Sequence, residues 1–200
     1  MPQLTTQREA KFRARRDQII NAARDCFRRQ GFHGAGMAEI AALSELSVGQ
    51  IYRCFTNKDA IIEEIVRRIV NNKMLMIARD ETNLNRLAGD LAYRVIHRDA
   101  QTRDDDQALM LEVAAEATRN PVVALILQDA DTLLFRQASE MLKRLYPVLS
   151  DTEIAARVEL IAVMTEGTDF RMLTAQKASP TQLYSLYKKI LQNVFPPMDK

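Results

Sequence analysis

The spacing of apolar residues is the feature that most limits what this chain can fold into. Apolar side chains recur every three or four residues along almost the whole sequence, as in Ile61, Ile62, Ile65, Val66 and Ile69. A helix completes a turn in about 3.6 residues, so this spacing gathers the apolar side chains on one face. No stretch shows the sustained alternation with a period of two that is typical of strands. The sequence therefore predicts an all-α fold.

Capping signals divide this helical pattern into segments. Residues that favour the helix N-terminus precede several apolar runs, and two of them are followed by proline: Ser47, Asn57, Asn120, Ser150 and Ser179. Gly31 can adopt the left-handed conformation that ends the first helix. These signals predict about nine helices, over residues 13–30, 37–43, 47–55, 57–77, 82–98, 105–118, 120–146, 150–176 and 179–195.

Composition excludes a membrane protein. Hydrophobic residues make up 47% and charged residues 27% of the 200 positions, which is typical of a globular chain. The longest apolar runs, such as 122–127, are far shorter than the roughly 20 residues needed to cross a bilayer. The first thirty residues are rich in charge and lack the apolar segment of a secretory signal. We therefore expect a cytoplasmic protein.

The chain offers little for catalysis or metal binding. Cys26 and Cys54 lack the spacing of metal ligands, and we expect them to be free thiols. The two histidines, His33 and His97, stand outside any Glu-x-x-His pattern, and the sequence has no GxSxG, Walker or zinc signature. We expect no metal, no cofactor and no enzymatic activity.

Charge is distributed unevenly along the chain. Lys and Arg exceed Asp and Glu by four over residues 1–60, whereas the acidic residues exceed the basic ones by two over residues 61–200. A basic N-terminal part is compatible with a polyanionic partner such as nucleic acid. A solvated helix surface can have the same composition, so charge alone does not decide.

The segment 37–55 carries the most specific pattern. Two short amphipathic helices joined by a tight turn are typical of a helix-turn-helix, whose second helix enters the major groove of DNA. Ala41 is small enough for the two helices to cross closely, Leu46 can bury the turn, and Ser47 can cap the second helix. Spacing alone leaves two readings open, a DNA reader and an ordinary pair of packed short helices.

The sequence over residues 15–65 resembles the TetR family of bacterial transcription regulators. The resemblance rests on the following residues and motifs, which follow the family's order without a gap: Ile19, Ala22, Ala23, Phe27, Gly31-Phe32, Ile40-Ala41, Ser47, Gly49, Tyr52, Phe55 and Asn57-Lys58-Asp59. It implies an N-terminal DNA-binding domain over residues 1–57 and a ligand-binding and dimerisation domain over residues 58–200. An all-α protein-interaction module that does not read DNA is the alternative.

The resemblance also implies which residues meet double-stranded DNA. These are Val48, Gly49, Gln50, Tyr52 and Arg53 of the third helix, with Lys58, Met37, Arg15 and Arg16 around it. Gln50 and Arg53 can read base edges, and Tyr52 can contact a phosphate. Lys58 would contact a phosphate at the start of the fourth helix. For Tyr52 a core aromatic is the other reading, and for the arginines a solvated helix end.

Two positions depart from the family pattern. Glu45 stands in the turn where the family usually has glycine, which predicts either a non-glycine residue at positive φ, at a cost of about 1 kcal/mol, or a different turn. Val48 stands where a lysine is common, so one phosphate contact is lost and a contact with a thymine methyl group becomes available.

A single short reading helix contacts few base pairs, so we expect a homodimer on a near-palindromic site. The eighth and ninth helices are expected to form its interface, although their apolar faces could equally be intramolecular core. The predicted interface residues are Ile161, Thr165, Leu183, Leu186, Tyr187 and Ile190.

The resemblance further implies a small-molecule effector that binds in a cavity enclosed by helices four to eight and acts through the fourth. The predicted pocket residues are Leu109, Met110, Val113, Phe135, Met164 and Phe170. Methionine suits adaptable apolar pockets, although most methionines are ordinary core. Glu112 and Glu116 would either balance a cationic ligand or form a solvated acidic face. The function expected is that of a repressor released from its operator by this effector.

Overall fold

A computed structural model describes residues 2–79, 83–95 and 103–195. Over these residues the chain forms nine helices and no strand, as the sequence predicts: α1 Pro2–Gly34, α2 Met37–Leu43, α3 Val48–Tyr52, α4 Lys58–Arg79, α5 Leu84–Ala92, α6 Arg103–Ala117, α7 Pro121–Leu145, α8 Asp151–Arg171 and α9 Pro180–Val194. Within the same residues, no helix is long and apolar enough to span a membrane.

Local capping chemistry sets several helix starts where the sequence predicts them. The hydroxyl groups of Ser47 and Ser150 each accept a hydrogen bond from the backbone N–H three residues on, and the side chain at that position bonds back to the cap. Asn57 accepts from the N–H of Ala60 at 2.9 Å. These bonds satisfy N–H groups that a helix start leaves without partners.

Five helix limits differ from the prediction by three residues or more. Helix α1 reaches Gly34 instead of ending at residue 30, and Gly31 lies inside it with the non-helical angles φ 69° and ψ 174°. Helix α1 begins at Pro2 instead of residue 13, because proline suits the first helical position and the following residues are good helix formers. Helix α3 ends at Tyr52 instead of residue 55, a difference within the ordinary fraying of a helix end.

Helices α5 and α8 end early, at Ala92 and Arg171 instead of residues 98 and 176, and Arg94 explains both corrections. Arg94 has φ 52°, which stops α5, and the N–H of Val95 bonds back to the carbonyl of Asp90 at 2.8 Å. Its guanidinium donates to the carbonyls of Arg171 and Thr174 at 2.5 and 2.7 Å, which closes the end of α8. Residues 96–98 of the predicted fifth helix lie outside the described residues.

The chain divides into two compact units. The first comprises Met1–Ile69 and Asp104–Ala130, and the second comprises Val70–Arg103 and Asp131–Lys200. The N-terminal unit therefore includes the beginning of α4, nearly all of α6 and the start of α7, and is larger than the predicted domain of residues 1–57. The predicted functional boundary at residue 57 remains a prediction.

The core of the first unit joins α1 to the two short helices. Its largest fully buried side chains include Ile19, Phe27, Phe32, Ile40 and Ile51. The rings of Phe27 and Phe32 meet edge to face, with their centroids 4.6 Å apart. Helices as short as α2 and α3 are not stable alone in water, so this core holds them in place.

The second unit has a core of its own, in which α5 lies along α9. Its buried residues are Ala88, Leu142, Tyr146, Leu149, Ile154, Val158, Leu191 and Phe195. The Nε of Arg157 donates to the carbonyl of Val194 at 2.7 Å and so connects α8 to the end of α9.

Candidate nucleic-acid interface

The turn between α2 and α3 has the geometry that the departure at Glu45 allows. Glu45 has φ 54°, and the N–H of Leu46 bonds back to the carbonyl of Ala41 at 3.0 Å, which closes α2 with a left-handed residue. The first of the two alternatives is therefore confirmed. Ala41 is buried where the helices cross, and Ser44 is buried in the turn. The turn accepts a glutamate at a modest strain cost of about 1 kcal/mol.

Helix α3 presents one face to the core and the other to solvent. Ile51 is fully buried, whereas Val48, Gly49 and Arg53 are exposed and Tyr52 is 52% exposed. The reading of Tyr52 as a core aromatic is therefore wrong. A five-residue helix anchored by one buried isoleucine thus offers a surface of mixed apolar, aromatic and cationic groups.

Gln50 has a structural role that the sequence pattern did not reveal. Its Oε1 accepts from the backbone N–H of Ser47 at 2.8 Å, while its own N–H donates to the Ser47 hydroxyl at 3.2 Å. The side-chain amide nitrogen remains available as a donor toward a base. The predicted base contact by Gln50 stays a prediction.

Lys58 holds the end of α1, beyond the non-helical Gly31, together with the residue that follows the helix. Its ammonium group donates to the carbonyls of Phe32 and Ala35, the latter at 3.4 Å. An ammonium group has three donors, so one remains for a phosphate. The predicted phosphate contact of Lys58 stays a prediction, now beside a structural role.

Arg16 connects α1 to the turn after α3 and to α4, within the first unit. Its guanidinium donates to the carbonyl of Cys54 at 2.8 Å and to Glu64 at 3.2 Å, and it lies 4.2 Å from the centre of the Phe55 ring. Arg15, one residue earlier, is exposed, and Met37 is half-buried at the start of α2. The DNA contacts predicted for these three residues stay predictions.

Glu64 is the electrostatic centre of this region. It is buried on α4, and its carboxylate accepts from Arg67 at 2.7 Å and from Arg68 at 2.8 Å in addition to Arg16. Burial by itself raises the pKa of Glu64, but the hydrogen bonds and charges of Arg67 and Arg68 outweigh it and hold that pKa below its ordinary value. The helical spacing of three and four residues to Arg67 and Arg68 was a signal that could have found these two ion pairs, whereas the contact with Arg16 on α1 spans 48 positions and leaves no such signal.

Helix α6 also holds the end of α1. The Glu112 carboxylate accepts from the N–H of Phe32 at 3.2 Å, next to Gly31 at φ 69°. Arg24 on α1 donates to Asp106 near the start of α6. These pairings join residues about eighty positions apart, which sequence spacing does not reveal.

Glu116 lies one turn beyond Glu112 and is only 4% exposed, so the predicted solvated acidic face is wrong at this position. It pairs with Arg119 at 2.8 Å and approaches Nε2 of His33 at 3.4 Å. Both glutamates thus have partners inside the first unit.

The six predicted pocket residues fall three in each unit. In the first unit Leu109 and Val113 are buried and Met110 is half-buried. In the second, Phe135 packs against the core, Met164 is half-buried, and Phe170 is 56% exposed on α8. The pocket stays a prediction.

The predicted interface residues differ in their surroundings. Ile161 and Tyr187 pack against the core of the second unit, Leu183 is half-buried, and the Thr165 hydroxyl donates to the carbonyl of Ile161 at 2.9 Å. Leu186 and Ile190 are exposed on α9.

Helix α8 presents a second exposed apolar surface that the sequence prediction missed. Its outer stripe carries the exposed side chains of Leu160, Val163 and Phe170, with Gly167 between them. The spacing of three and four residues places these positions on one helical face. The signal was present in the sequence, but periodicity does not tell which of two apolar faces turns inward.

The described residues contain no group of His, Cys, Asp or Glu side chains that could hold a metal ion. Cys26 and Cys54 are both free thiols, as expected. Burial is the largest cause that raises the pKa of the Cys26 thiol, and the nearby carboxylates of Glu39 and Asp25 raise that pKa further.

Comparison with known proteins agrees with this arrangement of α1 to α4. The sequence model described as bacterial regulatory proteins, tetR family, matches residues 19–65. The HTH-type transcriptional regulator UidR of Escherichia coli (strain K12) is 33% identical over 116 residues, which cover 57% of this chain and 57% of that relative. The HTH-type nicotine-responsive transcriptional repressor HdnoR of Paenarthrobacter nicotinovorans is 29% identical over 110 residues, 54% of this chain and 56% of its own.

The matched region thus spans less than two thirds of either relative. The fold extends further, since the solved structure of Salmonella enterica GusR superposes with a TM-score of 0.73 at 23% identity and covers 90% of this chain and 95% of its own. The family model and the aligned relatives agree on the N-terminal part: residues 19–65 match the tetR family of bacterial regulatory proteins, and the fold of the described residues is similar to that of GusR.

Proposed function

We propose that this protein is a transcription regulator that binds a near-palindromic DNA operator as a homodimer and is released by a small molecule. The observation that carries the proposal is the outward face of α3, where Tyr52 and Arg53 are exposed beside a fully buried Ile51. The sequence similarity to proteins named transcriptional regulators supports the same function. A repressor is the sign of regulation we favour, as in the name of HdnoR.

The exposed face of α3 has the chemistry that a major-groove reader needs. Arg53 supplies donors for guanine, Val48 can contact a thymine methyl group, and the Tyr52 hydroxyl can donate to a phosphate. Gly49 has no atom within 4 Å of the position a Cβ would occupy, so its backbone stands open to a close approach. These four positions lie within a single turn and a half of helix.

Exposed apolar side chains on the last two helices of the second unit, α8 and α9, support the homodimer. Leu186 and Ile190 on α9, and Leu160, Val163 and Phe170 on α8, remain exposed. Apolar stripes of this kind on a soluble chain mark surfaces that bury against a partner. We assign them to a second copy of the chain, because a two-fold reader needs two reading helices.

The effector remains defined only as a small organic molecule. The solved structure of a regulator from Saccharomonospora viridis, similar in fold with a TM-score of 0.63, is described in complex with choline. For this chain the six predicted pocket residues are the candidates. Helix α4 is the route we predicted for the signal, and the contacts of Glu112 and Asp106 with the α1 region add α6 as a second element tied to the DNA-binding part.

A mobility-shift assay with DNA from upstream of the protein's own gene tests the proposal. We expect the parent protein to shift a discrete fragment, and Tyr52→Ala and Arg53→Ala to weaken the shift by ten-fold or more, since one good base or charged contact contributes about 1–3 kcal/mol. Tyr93→Ala is the matched control, because Tyr93 is an equally exposed tyrosine of the second unit.

Two outcomes would contradict the proposal. If no DNA fragment is shifted at low salt, the protein-interaction module becomes the better account. If Tyr52→Ala and Arg53→Ala bind as tightly as Tyr93→Ala, another surface binds the DNA. Circular dichroism of each variant shows whether it keeps the helix content of the parent.

A further inference from the structure

Residues 7–15 of α1 lie outside the packed core. Every one of them is exposed, and from residue 7 onward Ile19 is the first buried residue. At about 1.5 Å per residue, the segment before Arg16 extends roughly 20 Å. We call residues 7–15 the basic arm.

The basic arm carries four cations and one acid. The cations are Arg8, Lys11, Arg13 and Arg15, and the acidic residue is Glu9. A short helix without tertiary contacts is marginal in water, and close like charges destabilise it further. Such a segment gains most in stability from a polyanion that neutralises its charges.

Three of the four cations share one face. Arg8, Lys11 and Arg15 follow the spacing of three and four residues, which places them within a stripe about 60° wide, whereas Arg13 points to the opposite side. Phe12, also exposed, lies beside this stripe. One face of the arm is therefore cationic along its length.

The base of the arm is fixed beside the reading helix. Arg16, which follows the arm directly, donates to the carbonyl of Cys54, two residues after the end of α3. A partner that contacts the exposed face of α3 thus lies close to the base of the arm, at Arg15. Under the proposed function that partner is duplex DNA, whose backbone carries one negative charge per about 1.7 Å of axis.

We propose that the basic arm binds the phosphate backbone of the same duplex that α3 reads, through Arg8, Lys11 and Arg15. The inference rests on the proposed function and adds a second, sequence-independent contact to it. Such a contact increases affinity for all duplexes alike and leaves the discrimination between sequences to α3.

The test compares two variants of the full chain with equal charge. In the arm variant, Arg8, Lys11 and Arg15 are replaced by glutamine. In the control variant, Arg13, Arg28 and Arg29 are replaced by glutamine. Fluorescence anisotropy measures binding to the operator fragment and to a scrambled duplex from 50 to 300 mM salt. Removing three phosphate contacts should make the negative slope of log affinity against log salt less steep by about 2.7 per protomer.

We expect the arm variant to lose about tenfold or more in affinity for both duplexes at 150 mM salt, with their ratio unchanged. The control variant should stay close to the parent. Trypsin cleavage after Arg8, Lys11 and Arg15 in the parent should slow when the operator fragment is bound.

Equal slopes and affinities for the two variants would overturn the inference while the parent still binds its operator, so the proposed function would stand. Binding of each variant to anionic phospholipid vesicles is measured in the same way. An arm variant that loses binding to the vesicles but binds the duplex as the parent does would also overturn the inference, in favour of a membrane partner. If the parent binds no duplex at all, the proposed function fails together with the arm.

Discussion

Gly31 is the position where a single methyl group should cost most. Its backbone has φ 69° and ψ 174°, a conformation that residues with a Cβ rarely adopt, and a Cβ built there would meet Oε1 of Glu112 at 2.7 Å. The backbone strain alone is about 1–3 kcal/mol. Moving the carboxylate away also weakens its bond to the N–H of Phe32, at about 1–2 kcal/mol. We expect Gly31→Ala to lower the free energy of unfolding by about 3 kcal/mol.

Urea denaturation followed by helical circular dichroism measures this loss. With a slope of about 1–3 kcal/mol per molar urea, a loss of about 3 kcal/mol should lower the midpoint of the affected transition by about 1–3 M. Gly49→Ala is the control of opposite sign, since Gly49 lies in α3 with open space at its Cβ, and alanine there should stabilise by about 0.5–1 kcal/mol.

A second substitution separates the two contributions at Gly31. In a Glu112→Ala background the carboxylate is gone, so Gly31→Ala should cost only the backbone part, and the two substitutions should be coupled by about 1 kcal/mol. A midpoint that Gly31→Ala leaves unchanged, or raises as Gly49→Ala does, would refute the reasoning about this loop.

Two further predictions concern charge and assembly. Glu64 has a pKa below its ordinary value, so it contributes stability above the unfolded value of 4.5 that is lost as the pH falls through the folded pKa; Glu64→Gln should lower stability at pH 7 by about 2 kcal/mol and flatten its decline between about pH 5 and 3 in urea titrations. An equally steep decline in the variant would assign the acid sensitivity to other carboxylates. Leu186→Glu with Ile190→Glu should convert a dimer of about 46 kDa into the 22.8 kDa chain in light scattering after size exclusion, whereas Val148→Glu, at an exposed loop position, should not. A dimer that survives the paired substitution would place the interface elsewhere.

Local features of this fold could be predicted from the sequence because they depend on neighbouring residues. Ser47 and Ser150 cap the helices that follow them through bonds spanning three residues, and Glu45 adopts positive φ in a turn whose type the sequence had already narrowed to two. The early end of α8 could not be predicted, because its carbonyls are closed by Arg94, which lies 77 and 80 positions away from its acceptors. Spacing within one helix carries no information about such a partner.

The candidate interface could be predicted only in part. The pattern of α3 left two readings open for Tyr52, because neighbouring residues lie about 100° apart around a helix and Ile51 alone does not place Tyr52; the structure shows that Tyr52 is exposed. The contacts of Glu64 with Arg16 and of Glu112 with Phe32 could not be predicted, since they bring together residues of α1 with residues of α4 and α6. For the same reason the sequence did not tell which apolar face of α8 is buried.

Lys58 shows why a residue can be assigned to DNA and to the fold at once. Its ammonium group donates to the carbonyl of Phe32 near the end of α1 and to that of Ala35 just after the helix, so the side chain is ordered before it meets a phosphate. An immobilised side chain avoids about 0.5–1.5 kcal/mol of the ordering cost that a free lysine meets on binding. The structural bonds therefore favour the predicted phosphate contact, provided that the third donor points to solvent. If Lys58 contacts DNA, the affinity for DNA depends on the position of the end of α1 at Phe32. The carbonyl of Phe32 accepts from Lys58, and its N–H donates to Glu112 of α6.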